Sequence, residues 1–214
     1  MGLSYEECLA IASCASVRTF LRDEVLFMQG QSANHMVMVG TGSVKLSQLG
    51  ENGNEVILWL SGSGDPVSMH ADCISCNHTC SARAMEHCKA LVWEYKKLHN
   101  LMAEYPQIRR NISQIMFGRL NELQERFREV ASEKVAQRLA LALLRLIKQV
   151  GKPVRGGLEV SLSREELAQM TGTTLFTISR ILSRWAEKGL VLPRREAVVV
   201  LDAERLAEIG NEDD

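Results

Sequence analysis

The chain has 214 residues, 46% apolar and 24% charged, with 4 prolines and 15 glycines; this suits folded domains with a real core and excludes collagenous and low-complexity chains. No run approaches the ~20 consecutive apolar residues of a bilayer span, and the acidic start Met1 to Cys8 is unlike a secretory signal, so a cytoplasmic protein without membrane contact is expected. The net charge of −1 hides an asymmetry, because residues 1–132 hold 12 Lys/Arg against 14 Asp/Glu while residues 133–201 hold 12 against 6, and a basic segment on a neutral chain points to a polyanion.

Ser4 to Ala15 reads as a short helix. From Arg18 to Val67 short apolar runs alternate with turn signals, as in Val25-Leu-Phe-Met, Met36-Val-Met-Val and Glu55-Val-Ile-Leu-Trp-Leu, which predicts an antiparallel barrel or double-sheet roll. Asn52-Gly53 marks a hairpin, and Ala90 to Tyr95 reads as one more strand. Residues 108–150 contain no proline, and the period becomes helical. Met116, Leu120, Leu123, Phe127 and Val130 form a heptad seam, and Ile108, Ile112 and Ile115 an offset stripe before it. A two-stranded seam between identical chains is expected, with Ile112, Met116, Leu120, Leu123 and Phe127 at the interface; an amphipathic helix covering its own domain is the alternative. Gly118 marks either close helix approach or a hinge. A second helix follows from Glu133 to Val150, with Ser132 as its N-cap, and Lys152-Pro153 and Gly156-Gly157 form a turn.

Beyond strand-like Leu158-Glu-Val, Ser163 and Glu166 make a capping box that opens a short helix. Thr171-Gly-Thr then turns the chain into a second helix, Thr174 to Lys188, and the pair forms a helix-turn-helix with Arg194-Arg195 in its wing. Such a second helix enters the major groove with its N-terminal residues toward the bases, here Thr173, Thr174, Phe176, Thr177 and Arg180. Arg180 suits a bidentate contact to guanine. The three threonines suit phosphates, Thr177 also a base edge, and Arg164 and Arg184 suit positioning contacts to the backbone. Double-stranded DNA is the expected partner, and a homodimer implies an inverted repeat with half-sites about one helical turn apart.

Cys73, Cys76, Cys80 and Cys88 fall within sixteen residues as C-x2-C-x3-C-x7-C. In a reducing compartment this crowding points to a metal, a cluster or a redox switch. Four thiolates suit an iron–sulfur cluster of the four-iron, four-sulfide type or a tetrahedral zinc. The cluster is the first expectation, sensing nitric oxide, oxygen or redox state. Zinc with His78 or His87, and a metal-free thiol switch with Cys73–Cys76 as its disulfide, are alternatives. Cys8 and Cys14 are expected in the core of the first helix.

Leu162-Ser-Arg-Glu-Glu-Leu-Ala-Gln-Met-Thr-Gly-Thr-Thr-Leu-Phe-Thr-Ile-Ser-Arg-Ile-Leu, then Lys188-Gly-Leu-Val and Val198 to Leu201, in the order roll, seam helix and winged helix-turn-helix, resembles the Crp/Fnr superfamily of bacterial transcription regulators. The resemblance implies an α+β chain: a cyclic-nucleotide-binding-like β-roll as sensor over 1–106, a dimerisation helix over 107–131 and a winged helix-turn-helix DNA-binding domain over 132–214. It adds haem as a further cofactor alternative and RNA polymerase as a further partner. The family places glutamate where Phe176 stands, to accept from a cytosine; phenylalanine presses instead on a thymine methyl. Its cyclic-nucleotide members hold phosphate with a Gly-Glu pair and an Arg-Ser/Thr pair, which align with Gly64-Asp65 and Cys80-Ser81. The missing arginine argues against cyclic AMP, and Arg83 would compensate only in a shifted alignment. An enzyme, cupin-like or a thiol oxidoreductase, is the remote alternative. Only His35 and, three residues before Cys73, His70 precede the cysteine segment to serve a cupin metal, and a thioredoxin-like pair needs an α/β context.

Overall fold

Alternating apolar residues in the first half of the chain build two antiparallel sheets that share one core. The computed structural model describes residues 2–51, 53–69 and 76–211. Helix α1 (Tyr5–Ser13) is followed by strands β1 (Ser16–Phe20), β2 (Val25–Phe27), β3 (His35–Thr41), β4 (Val44–Leu49), β5 (Glu55–Ser61), β6 (Pro66–Ser68), β7 (Ser81–Ala84) and β8 (Cys88–Glu94). The sheets run β1-β8-β3-β6 and β2-β7-β4-β5. Every second residue of the inner strands faces inward: Val37 and Val39, then Cys88, Ala90 and Val92 from one sheet, with Val44 and Leu46, then Ala82 and Ala84 from the other. The expected double-sheet roll is therefore present. Asn52 lies outside the described residues, and the Gly50 amide donates to the Asn54 carbonyl to close the loop around it.

The outer face of the first sheet is covered by helices. Met36 and Trp93 pack with Leu98, Leu101 and Met102 of α2 (Tyr95–Glu104) and with Ile108 and Ile112 of α3 (Pro106–Ser132). Ile112, expected in the intermolecular seam, thus lies 7% exposed in this core. Further along α3 the stripe emerges: Met116, Leu120, Leu123 and Phe127 are 50%, 51%, 54% and 77% exposed. A Cβ at Gly118 would meet nothing within 4 Å, so no neighbour in this chain requires glycine there. α1 buries none of its residues, and Cys8 and Cys14 are exposed, against the expectation that they belong to a core.

The chain divides into two compact units, Met1–Asn54 with Leu58–Leu123 and Glu55–Ile57 with Gln124–Asp214. In the second, α4 (Val135–Gln149) buries Leu139, Leu143 and Leu146. Ser132 does not cap it: its hydroxyl donates to the Arg128 carbonyl at the end of α3, and the Lys134 amide at the true cap donates to Gln137. Arg145 of α4 holds the nearly buried Glu129 of α3 through two hydrogen bonds of 2.5 and 2.9 Å. Lys152-Pro153, expected in a turn, belongs to β9 (Lys152–Val154), which pairs with β10 (Gly157–Val160). α5 (Arg164–Thr171), α6 (Leu175–Glu187), β11 (Val191–Pro193), β12 (Val198–Val200) and α7 (Ala203–Gly210) complete the unit, with its sheet in the order β11-β12-β10-β9. A Cβ on Gly157 would fall on the Val200 carbonyl, so only glycine lets β10 and β12 approach. No helix among the described residues is long and apolar enough to cross a membrane.

Candidate nucleic-acid interface and sensor segment

Local capping fixes the helix-turn-helix. The Ser163 hydroxyl accepts from the Glu166 amide at 3.2 Å, and Glu166 accepts from the Ser163 amide at 2.9 Å, which satisfies two orphan donors of α5. Gly172, at φ 62°, ends α5 in the left-handed conformation that a side chain would strain. Thr174 then caps α6, its hydroxyl accepting from the Thr177 amide at 3.3 Å and lying 3.1 Å from the Thr177 hydroxyl. Thr174, expected at a phosphate, is thus first a helix cap.

The faces of α6 separate cleanly. Ile178, Leu182 and Trp185 are buried. Phe176, Arg180 and Arg184, at successive i, i+4 positions, form one outward row, all three exposed and Phe176 83% so. Thr173 and Thr177 are half-buried beside it. Arg164 is half-buried at the start of α5, its Nε enclosed without a hydrogen-bond partner. In the wing, the Arg194 amide closes the β11–β12 hairpin on the Ala197 carbonyl and its guanidinium pairs with Glu159 of β10. Arg195 beside it is exposed. Of the seven sequence-chosen positions, Thr174, Phe176, Arg180 and Arg184 are exposed, Arg164, Thr173 and Thr177 are half-buried, and Thr174 caps α6.

Among the described residues, Cys76, Cys80 and Cys88 do not gather on one centre. Cys73 lies outside the described residues. Cys76 is disulfide-bonded, and its carbonyl accepts from the Ala33 amide at 2.8 Å. His78, an expected zinc ligand in one alternative, is 7% exposed with its ring stacked 3.8 Å from that of Phe27. Cys88 is fully buried between the sheets, and Cys80 packs half-buried against the same core. Burial raises the pKa of both thiols; Arg119 partly opposes it at Cys80, and Glu86 adds to it at Cys88. Protonated thiols of this kind are poor nucleophiles. Among the described residues no three His, Cys, Asp or Glu side chains stand close enough to share a metal.

The residues aligned with a phosphate site are occupied by the roll itself. Asp65 accepts from the Gly62 amide at 2.9 Å, and the Ser81 hydroxyl accepts from the Gln29 amide at 3.0 Å. Arg83 faces outward on β7 and donates to the Asp23 carbonyl, so it does not compensate for the missing arginine. A cation that sequence reasoning missed comes from α3: Arg119 donates to the Pro66 carbonyl at 2.5 Å and stands 5.0 Å over the Trp59 ring. Burial lowers its pKa, against Asp65 and Cys80 nearby. Its spacing inside a helix gave no sign of this reach; only the packing of α3 on the roll does.

Residues 17–105 match the model of the cyclic nucleotide-binding domain, and residues 137–209 match that of the Crp-like helix-turn-helix domain. The CRP-like cAMP-activated global transcriptional regulator of Mycobacterium tuberculosis is 25% identical over 190 residues, 88% of this chain and 85% of its own length. The cyclic AMP receptor protein of Thermus thermophilus is 28% identical over 209 residues, 98% of this chain and 94% of its own. FixK2 from Bradyrhizobium japonicum shares the fold with a TM-score of 0.80 at 21% identity, over 94% of this chain and 99% of that one. With both domain models matched in order along one chain, and the α5–α6 pair built as described, the protein belongs to the Crp/Fnr family, whose members are DNA-binding transcription regulators and not enzymes.

Proposed function

We propose that the protein is a homodimeric, sequence-specific DNA-binding regulator gated by cysteine chemistry in residues 73–88. The outward row Phe176, Arg180 and Arg184 on α6 carries the proposal. Arg180 reads a guanine and Phe176 presses on a thymine methyl, while Arg164, Arg184, Thr173 and Thr177 hold phosphates. The exposed stripe Met116, Leu120, Leu123 and Phe127 supports a seam between two chains, and two-fold symmetry then asks for an inverted repeat. RNA polymerase is the further partner that the family resemblance suggests. Selection from random duplexes tests the reading: an inverted repeat with a guanine and an adjacent thymine in each half-site is expected, and recovery of the family's ordinary half-site would count against the role of Phe176.

For the signal, four thiols supply the ligand number of an iron–sulfur cluster, sensitive to oxygen, nitric oxide or oxidants. To form it, two of the described thiols would have to rearrange, Cys88 leaving the roll core and Cys76 its disulfide. The thiol–disulfide reading is favoured by that disulfide at Cys76, and it needs neither rearrangement. Iron, sulfide and zinc analysis after anaerobic purification, followed by DNA affinity in reductant and in oxidant, separates the chemistries. The disulfide reading expects no metal and an affinity that changes reversibly with redox state in the wild type but not in Cys76→Ser. About four iron and four sulfide per chain, lost on Cys73→Ser or Cys80→Ser, would establish the cluster instead.

A further inference from the structure

We propose that Phe176, flanked by Leu175, recognises the C5-methyl group of a pyrimidine without regard to which pyrimidine carries it, so that 5-methylcytosine is accepted where thymine is and cytosine methylation creates binding sites for this protein. The inference rests on α6 being a DNA-reading helix.

Two adjacent apolar side chains stand open at the start of α6, Phe176 at 83% and Leu175 at 42% exposure. They lie in the helix turn that meets base edges in a major-groove reader. Arg180 is one turn further along the same row, so the phenyl ring stands beside the group that fits a guanine. The surroundings are cationic, with Arg180 and Arg184 exposed, and they complement a duplex rather than an apolar protein face.

Thymine and 5-methylcytosine present the same methyl group at the same place in the groove. They differ at C4, where thymine offers an accepting oxygen and cytosine a donating amino group. A phenyl ring and an isobutyl group have neither donor nor acceptor, so they gain from the methyl and are blind to C4. The hydroxyls of Thr174 and Thr177 lie 3.1 Å apart and Thr174 also accepts from the Thr177 amide, so part of their hydrogen-bonding capacity is used within the helix cap. Glutamate at this position would do the reverse, accepting from the cytosine amino group and ignoring the methyl.

The test uses the full-length protein and one selected duplex, with the pyrimidine beside the Arg180 guanine varied in both half-sites as thymine, uracil, 5-methylcytosine or cytosine. Fluorescence anisotropy is expected to show thymine bound more tightly than uracil, and 5-methylcytosine more tightly than cytosine, each by about fourfold per half-site, the factor for one buried methyl. Phe176→Ala should bring both ratios close to one while the guanine preference persists, and Leu175→Ala should reduce both. Phe176→Glu should favour cytosine and 5-methylcytosine together over thymine and uracil. Equal binding of thymine and uracil, or 5-methylcytosine bound no better than cytosine, overturns the inference while leaving DNA reading intact. Absence of any sequence-specific duplex binding overturns the DNA-reading proposal and this inference with it.

Discussion

The role proposed for Arg180 rests on the chemistry of its side chain rather than on its charge. A guanidinium fork can hold guanine O6 and N7 together, whereas an ammonium is a point charge. Arg180→Lys is therefore expected to keep non-specific affinity and its salt dependence, and to lose about 1–3 kcal/mol of discrimination at the guanine per half-site; competition between specific and scrambled duplexes measures it. Single residues were legible in the sequence where their role is local. Ser163 with Glu166 and Gly172 could be placed because a cap depends on three or four neighbouring residues. Cys88 and Arg119 could not. The fate of Cys88 depends on β8 sending every second side chain between two sheets, and that of Arg119 on the face of α3 that meets the roll.

At the scale of the element, α3 does two jobs along one length. Its first turns give Ile108 and Ile112 to the core of the roll, and its later turns leave Met116, Leu120, Leu123 and Phe127 in solvent. An apolar stripe of this extent on a single chain supports the proposed seam between two chains. Leu120→Glu is expected to yield a folded monomer by analytical ultracentrifugation, with DNA affinity weakened at least tenfold; a variant that stays dimeric would move the interface elsewhere. The offset between the Ile108, Ile112 and Ile115 stripe and the seam from Met116 is visible in the sequence, but it did not place Ile112, expected at the interface, in the core of the roll. α2 and α7 were not foreseen. α2 opens at Glu94 with no side-chain capping bond, so its start carries no signal, and α7 is a short helix capped by Asp202. The wing was legible because Arg194-Arg195 interrupts two apolar runs, Leu190-Val-Leu and Val198-Val-Val-Leu.

For the molecule as a whole, charge is distributed by task. The basic excess of residues 133–201 lies around the helix-turn-helix, and the rest of the chain is acidic, which orients an approaching polyanion before any base is read. Each phosphate contact contributes close to one unit to the slope of log affinity against log salt. Arg164→Ala, removing one contact per half-site, should flatten that slope by about two units for a dimer and weaken all sequences alike; an unchanged slope would remove Arg164 from the backbone contacts. The roll carries a different kind of information in its thiols. Cys8 and Cys14 stand in solvent, and Cys88 is sealed between the sheets. An alkylating reagent will therefore tag the first pair at once and reach Cys88 only when the sheets part, at a frequency set by the free energy of that opening. The slow phase of labelling is thus a clock for the breathing of the roll, supplied by the native chain without an added probe.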